Sequence, residues 1–482
     1  MHPLVAAVCD RRAWVAAPFI NGTTAIGWVE SGISATRCRG GGMPPTASPF
    51  SLRTSGFFAN IPASAEATLR RHHMQPANAI LVIFAITYLS IAIGHIPGLK
   101  TNRAGIALLG AIALMAFGGV TTPDAVSYVN WPTIFLLFGF FVISAQLCLS
   151  GFYDLVAGAI AARLDHPARF LFILMAASAG LSTFLNHDIV CFVFAPVVAS
   201  ALLRRQLNPI PFLIALAIAS NIGAAVTPIG NPQNMMIAQV GGLGFSQYLL
   251  WCTPPVLFAL GSAYAIIWIL SRNTLQLTVR TPVIVELAPR PFNRLHTMKG
   301  LVILGLVIAF FFAPVPKEII ALTAAGIHLA SPKFRTEDLL RLVDWPILVL
   351  FMGLFVVTGA FQMTGYGEQA VQWLAHIGLN FHSLPTLALV TAILSNLINN
   401  SAAVMLLVKL TSVTHPPIAY VLALANSFGG SLIILGSVSN IIVVQQARKL
   451  GIQISFRDFA RLGIPVTLAA LAGLLAWIAI IS

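Results

Sequence analysis

The feature that most constrains the fold is an apolar helix, residues 216–239, that is interrupted halfway. Its first half is apolar enough to enter a bilayer, but Pro228, Gly230, Asn231 and Pro232 then remove backbone donors and add a polar side chain. Non-helical backbone at membrane depth survives only where it is buried in protein or lines a cavity. Many secondary transporters build their ion and substrate sites in this way. The break therefore predicts a site of that kind.

The same broken helix returns at residues 422–445. When the two stretches are aligned without a gap, identical residues fall at Leu216/Leu422, Ala217/Ala423, Ala219/Ala425, Gly223/Gly429, Gly230/Gly436, Asn234/Asn440 and Gln239/Gln445. The match predicts that the chain contains two copies of one structural unit, because chance does not reproduce both the break and its flanks.

Composition places the chain in a membrane. Of its 482 residues, 58% are hydrophobic and only 9% are charged, which is outside the range of soluble globular proteins. The net charge of +13 comes from short loops between apolar segments, where membrane orientation explains it better than nucleic acid does. The cysteines show no metal-ligand spacing. We expect a polytopic all-α protein with the lipid bilayer as a partner, without nucleic acid or a cofactor.

The predicted domain boundaries follow the changes in composition. Residues 1–73 are rich in Gly, Ser and Pro and contain no sustained apolar run, which is typical of a poorly ordered extension. Met74 directly precedes the first strong span and is a candidate start of the protein. We then predict membrane repeat 1 over 74–271, a basic cytoplasmic linker over 272–299 and membrane repeat 2 over 300–482.

Each predicted repeat also contains a helical hairpin. In the first, two apolar pieces, residues 168–185 and 189–203, are separated by the polar tip Asn186-His187-Asp188. In the second, the matching tip is Asn399-Asn400-Ser401. Short apolar pieces joined by a polar tip are typical of re-entrant hairpins, which enter and leave the membrane on one side.

The distribution of basic residues predicts that the two repeats are inverted. The loop before Trp131 has no Lys or Arg, whereas the matching loop before Trp345 has Lys333, Arg335 and Arg341. The first hairpin is flanked by several arginines, and the second only by Lys409. Because cytoplasmic loops are enriched in Lys and Arg, matching loops should face opposite sides.

Four motifs make the sequence resemble a known family. They are LNHDIVCFVFAP from Leu185, SNIGAAVTPIGNPQN from Ser220, SNLINNSAAVMLL from Ser395 and GGSLIILGSVSN from Gly429. Together they resemble the ion transporter superfamily in its citrate-transporter-like branch, which includes divalent anion:sodium symporters, arsenite permeases and some sodium/proton antiporters. The resemblance implies a scaffold, a moving transport domain that holds hairpins and broken helices, elevator-like alternating access and often a homodimer.

The resemblance also implies where substrate and ion bind. In the symporters the hairpin tips and the adjacent helix breaks supply oxygen ligands to sodium and hydrogen bonds to a carboxylate. The matching substrate- or ion-binding positions here are Asn186, His187, Asp188, Thr227, Gly230, Asn231, Asn234, Asn399, Asn400, Ser401, Gly436, Ser437 and Asn440. The candidate sodium ligands are Asn186, Asp188, Asn399 and Ser401. Neither tip matches the symporters' Ser-Asn-Thr literally, and an Asn-Asp pair at the first tip is closer to the arsenite permeases.

Asp188 is the most informative of these residues, because it is the one acid predicted to lie deep in the membrane. It is a candidate cation ligand or proton carrier, and His187 is a candidate for a proton relay with it. The structural alternative is that Asp188 caps the second hairpin helix. For Asn231 and Asn234 the alternative is that each bonds its own turn.

The predicted function is secondary active transport of an anion, driven by sodium or protons, in the bacterial inner membrane. Sodium/proton antiport and arsenite efflux are the alternatives. An intramembrane enzyme is disfavoured because the sequence has no HExxH motif and no nucleophile elbow, and an ATP-driven pump because it has no Walker loop.

Overall fold

A computed structural model describes residues 76–481, except 95, 97, 165, 275–290, 377 and 382. Every regular element in this part of the chain is helical. The predicted extension over 1–73, most of the linker and the candidate start at Met74 lie outside the described residues. Helix α11 begins at Arg294, inside the segment predicted as linker.

Within the described residues, ten helices precede the gap at residues 275–290 and ten follow it. The first ten are α1 (Pro76–Ile93), α2 (Arg103–Phe117), α3 (Thr122–Tyr128), α4 (Trp131–Leu149), α5 (Phe152–Ala161), α6 (Pro167–Phe184), α7 (His187–Arg204), α8 (Ile210–Gly223), α9 (Pro232–Gly241) and α10 (Phe245–Ser271). The second ten are α11 (Arg294–Phe310), α12 (Lys317–Leu329), α13 (Thr336–Arg341), α14 (Trp345–Met363), α15 (Tyr366–His376), α16 (Leu384–Ile398), α17 (Asn400–Leu410), α18 (Pro416–Gly429), α19 (Val438–Lys449) and α20 (Phe456–Ile481).

The outer surface of the helical bundle is suited to lipid. In the described part of the chain, six helices are long and apolar enough to cross a membrane, namely α4, α6, α7, α10, α14 and α20. Large apolar side chains such as Leu89, Leu250 and Leu468 lie exposed on the outer helices. So much exposed apolar surface would be costly in water but is favourable against lipid tails. The prediction of an all-α polytopic membrane protein is confirmed.

Helices ten places apart in the chain correspond in order and in packing. α2 packs against α14, and the corresponding α12 packs against α4. Likewise α6 packs against α8, and α16 against α18. The side of the membrane that each copy faces depends on the charge argument alone, so the inversion of the two repeats stays a prediction.

Both predicted breaks are present, and they lie in the centre of the protein. Every residue of α8 from Pro211 to Gly223 is buried, and α18 is buried from Ile418 to Gly429. The helical backbone then stops, and it resumes at Pro232 in the first copy and at Val438 in the second. In the second copy a short 3₁₀ turn, Ile434–Gly436, lies within the interruption. The first break is almost entirely buried, whereas in the second Leu435 is 52% exposed. Burial keeps the irregular backbone of the first break away from lipid.

Candidate functional site

The first hairpin tip, residues 186–188, buries three polar side chains at the start of α7. Asn186 is the N-cap residue, and its Oδ1 accepts a hydrogen bond from the Asp188 backbone N–H at 2.8 Å. Asp188 therefore does not cap the helix, and the structural alternative for this residue is wrong. His187 Nε2 lies 3.5 Å from Asp188 Oδ1, and both residues are only 5% exposed. Within the described structure, neither Asp188 Oδ1 nor His187 Nδ1 has a hydrogen-bond partner.

The second tip, residues 399–401, has the same cap but no charged side chain. Asn399 has a φ of 82° and caps α17 by accepting a hydrogen bond from the Ser401 backbone N–H at 2.9 Å. Ser401 Oγ accepts a second hydrogen bond from Gln233 Nε2 at 2.7 Å. Asn400 Oδ1 is buried and has no hydrogen-bond partner among the described residues. The two tips thus share a capping hydrogen bond from the residue two places on, but they differ in charge and in backbone conformation, since Asn186 has a φ of −59°.

The two helix breaks are joined by reciprocal hydrogen bonds between the halves of the chain. Asn231 Nδ2 donates to Ser427 Oγ at 3.2 Å. Ser437 Oγ donates to Asn221 Oδ1 at 2.9 Å. In the alignment of the two broken helices, Asn231 matches Ser437 and Asn221 matches Ser427, so these bonds are counterparts. Each break is therefore held by the helix that precedes the other break.

Asn234 and Asn440 close their own breaks. Asn234 Nδ2 donates to the carbonyl of Ala224 at 3.1 Å, and Asn440 Nδ2 donates to the carbonyl of Gly430 at 2.7 Å. For Asn234 this bond is the turn-stabilising role given above as the alternative, and Asn231 also bonds its own turn, since its Oδ1 accepts a hydrogen bond from the Asn234 backbone N–H at 2.7 Å. Asn234 Oδ1 is buried without a hydrogen-bond partner in the described part of the chain, whereas Asn440 Oδ1 accepts a hydrogen bond from Asn221 at 2.9 Å.

Thr227, Gly230 and Gly436 fit the breaks tightly against the hairpins. The Thr227 hydroxyl donates to the carbonyl of Thr183, which ties the first break to the first hairpin. A Cβ atom at Gly436 would come within 2.5 Å of Asn396 Oδ1, and one at Gly230 would overlap the Ala224 carbonyl oxygen. Gly230 and Gly436 therefore have a packing role that requires glycine.

A cavity of about 280 Å³ opens beside the first tip. It is lined by Asn186 and Asp188 from the tip, by Arg341 at the end of α13 and Asp344 just before α14, and by apolar side chains of α4, α7 and α19. Burial, followed by the negative charge of Asp188, raises the pKa of Asp344 to about 6. The cavity therefore brings polar side chains of the first hairpin tip together with Arg341 and Asp344, which precede α14 in the second half of the chain.

Comparison with known proteins supports a transport function. Residues 79–420 match the family described as Citrate transporter (CitMHS). The chain belongs to this family. It is 30% identical over 424 residues to the 46 kDa membrane protein of Mycobacterium leprae, covering 83% of this chain and 97% of that one. It is 25% identical over 463 residues to the silicon efflux transporter LSI3 of Oryza sativa subsp. japonica, covering 81% and 95% of the two chains.

Among solved structures, the YdaH transporter of Alcanivorax borkumensis shares the fold. The TM-score is 0.55 at 14% sequence identity, covering 84% of this chain and 98% of that chain. The family membership, together with the apolar helices, makes this citrate transporter family protein an integral membrane transporter.

Several polar residues of the site escaped the sequence analysis. Asn221, Ser427 and Ser439 join the two breaks, and Gln233 joins the first break to the second tip. Asn426 is fully buried, and neither atom of its amide has a hydrogen-bond partner in the described segments. The available signal was an amide or hydroxyl inside a highly apolar helix, at matching positions in both copies.

The candidate sodium ligands fall into two groups. Asn186 and Asp188 lie at the first tip and line the cavity, whereas Asn399 and Ser401 lie at the second tip. Among the residues that the structure describes, no hydrogen bond joins the two tips. At the first tip Asp188 Oδ1 is buried and accepts no hydrogen bond from the described residues, whereas at the second tip Asn399 Oδ1 and Ser401 Oγ each accept one.

Proposed function

We propose that this citrate transporter family protein is a secondary active transporter that moves a small carboxylate or inorganic oxyanion. The observation that carries the proposal is the reciprocal pair of hydrogen bonds, Asn231 to Ser427 and Ser437 to Asn221, whose buried side chains bring the two irregular helix breaks to one place. Broken helices that meet at the interface of two similar halves are how many secondary transporters form a single site.

The helix ends around this site favour an anion. Helices α7 and α17 begin at the hairpin tips, and α9 and α19 begin at the breaks. The first backbone N–H groups of a helix have no partner within the helix and carry a partial positive charge. Caps at Asn186, Asn231 and Asn399 satisfy some of these donors, and the rest are available to oxyanion or carboxylate oxygens. Neighbouring amides and hydroxyls would orient the anion.

Sodium or a proton is proposed as the coupling ion. Asn186 and Asp188 at one tip, and Asn399 and Ser401 at the other, would hold sodium through their side-chain oxygens. A bound cation would supply positive charge that offsets the repulsion between Asp188 and the anion. The fit rests on the buried Asp188 oxygen that has no hydrogen-bond donor within the described residues. We also propose the bacterial inner membrane as the location and a homodimer as the assembly.

One observation favours a second function, sodium/proton antiport. The paired His187 and Asp188 side chains are buried at 3.5 Å from each other, and neither has a counterpart at the second tip. A buried carboxylate with a histidine neighbour suits exchange of a cation for a proton.

Uptake into proteoliposomes distinguishes the two functions. We expect one labelled anion from a panel of citrate, succinate, sulfate and arsenite to accumulate when a sodium or proton gradient is imposed, and not without the gradient. If no anion moves, while added sodium releases protons from acid-loaded vesicles, the antiporter replaces the anion transporter. Liposomes without protein control for leak.

A further inference from the structure

The cavity beside the first tip marks the side on which this conformation is open. At the second tip, α17 packs against α14, and the Tyr88 hydroxyl donates to the carbonyl of Ala402 at 3.3 Å. At the first tip, the corresponding space beside α4 is the cavity itself. A solute arriving from the side of the α13–α14 segment would therefore meet the first tip.

Arg341 is the one basic residue among those that line this cavity. It is exposed, and it takes part in no ion pair within the described part of the chain. Arg335, six residues earlier, differs in both respects that matter, since it pairs with Glu337 at 2.9 Å and does not line the cavity. The Arg341 guanidinium is thus available at the opening, whereas that of Arg335 is already engaged.

We propose that Arg341 binds the transported anion in the cavity that it shares with Asn186, and that it determines anion affinity on this face of the membrane only. The proposal rests on the proposed function. A guanidinium group offers planar, paired donors that match carboxylate and oxyanion oxygens. The cavity walls include the apolar side chains of Phe141, Phe192 and Ile442, which offer no hydrogen-bond donor that would compete with the guanidinium for the anion.

The first half of the chain has no basic residue at the position that matches Arg341. We therefore expect Arg341 to change anion affinity at one face of the membrane only. The match of Val129-Asn130-Trp131-Pro132 to Val343-Asp344-Trp345-Pro346 places Ser127 at the position of Arg341. If the halves alternate in exposing the site, the opposite opening presents a hydroxyl instead of a guanidinium. Anion recognition would then depend on charge at one opening and not at the other.

Asp188 and Asp344 are the acidic groups in the same cavity, and they oppose an anion. Arg341 compensates for one of these two negative charges when both acids are ionised. A cation held at the first tip would compensate for the other. Anion binding at Arg341 would therefore be tied to the coupling ion, as expected for a coupled transporter.

The test compares Arg341→Gln, Arg341→Lys and Arg335→Gln in right-side-out and inside-out vesicles, with the anion that wild-type protein accumulates. We expect Arg341→Gln to raise the apparent KM about tenfold from the Arg341 face, a typical effect of losing a charged hydrogen bond. From the opposite face the KM should stay within about twofold, which is near the change produced by a typical exposed surface charge. Arg341→Lys should recover part of the affinity. Arg335→Gln removes one positive charge just before α13, whereas Arg341 lies at the end of that helix, and the Arg335→Gln variant should match wild type.

Binding of the same anions to purified protein, read as thermal stabilisation, provides a second readout that does not require turnover. If Arg341→Gln is stabilised as wild type is, or if its KM changes equally on both faces, the Arg341 assignment is wrong and the proposed function stands. If wild-type protein neither binds nor transports any anion, the proposed function fails and the Arg341 assignment fails with it.

Discussion

Asp344 and Asn130 occupy matching positions but differ in charge. Asp344 Oδ1 accepts a hydrogen bond from the Ile347 backbone N–H at 3.1 Å, and Asn130 Oδ1 accepts one from the Thr133 N–H at 3.0 Å. Either residue therefore caps the helix that begins with Trp-Pro. Asp344 additionally has a pKa raised to about 6 by burial and by Asp188. Ionising Asp344 therefore lowers the stability of the folded protein, whereas Asn130 carries no charge that would do so.

The raised pKa of Asp344 predicts the direction of a pH effect. Because the pKa in the folded protein lies above the ordinary value of about 4, the contribution to stability is full below about pH 4 and is lost as pH rises through 6. Protonation also removes one negative charge from the cavity. On the Arg341 face, anion affinity should therefore improve as pH falls through 6.

We expect Asp344→Asn to keep the helix cap and to remove this pH dependence. Melting temperature in detergent and the KM of anion uptake from the Arg341 face would be measured between about pH 4 and 7.5, a window that spans the ordinary and the raised pKa. The stability difference at the upper end should not exceed about 3 kcal/mol, the equivalent of about two pKa units. Glu337→Gln, an exposed acid in the preceding helix, is the control. A pH profile in Asp344→Asn identical to that of wild type would contradict the assignment.

At the scale of the helices, a close approach between α6 and α8 holds the first hairpin against the first break. Gly223, at the end of α8, packs directly on the backbone of Ala179 in α6. Gly429 packs in the same way on Ala392 in the second copy, where a Cβ would lie 2.8 Å from the Ala392 Cα. Small residues allow helices to approach in a membrane, where packing replaces the hydrophobic effect.

Gly223→Ala should force these two helices apart. We expect it to destabilise the protein by about 1–3 kcal/mol, the usual cost of overpacking, and to reduce transport because the first tip is displaced. Gly180→Ala is the matched control, since a Cβ at Gly180 on the same α6 meets no atom within 4 Å. Thermal unfolding of both variants in detergent tests this. Equal stability of the two would show that the α6–α8 contact tolerates a methyl group.

At the scale of the whole molecule, a side-chain hydrogen bond joins α9, the helix that follows the first break, to α12, which is neither a hairpin nor a broken helix. Gln239 Nε2 in α9 donates to Glu318 Oε2 in α12 at 3.0 Å. If the hairpins and broken helices move as the family resemblance implies, this contact must separate in each transport cycle. By contrast, Lys299 Nζ in α11 donates a hydrogen bond to the Ile327 carbonyl in α12 at 3.2 Å. Neither helix belongs to a hairpin or a broken helix, so both are expected to stay in the stationary scaffold.

Cross-linking tests whether α9 moves relative to α12. On a background without native cysteines, joining Gln239→Cys to Glu318→Cys with a short bifunctional thiosulfonate should stop transport, and a reducing agent should restore it. The pair Lys299→Cys and Ile327→Cys is the control, because a link within one rigid group leaves the cycle intact. Full transport by the cross-linked first pair would exclude relative motion of α9 and α12.

Local features of the site could be predicted because they depend on the chain's own backbone. Proline and glycine interrupt α8–α9 and α18–α19 wherever these helices are placed, and an Asn before a helix caps it through bonds that span two or three residues. The apolar composition likewise predicts a membrane protein without any knowledge of the fold. The membrane class, both breaks and both hairpin tips were therefore available from sequence.

The partners of these features were decided by tertiary structure. Asn231 and Ser427 are 196 residues apart, and Asn221 and Ser437 are 216 residues apart. No local pattern specifies which amide meets which hydroxyl across such separations. Arg341 appeared from sequence to be one more basic residue in a loop, and only the packing of the second half against the first hairpin placed it in one cavity with Asp188. Sequence alone determined where the helices must break, because backbone hydrogen bonding is local, and the fold decided what faces each break, because packing is not.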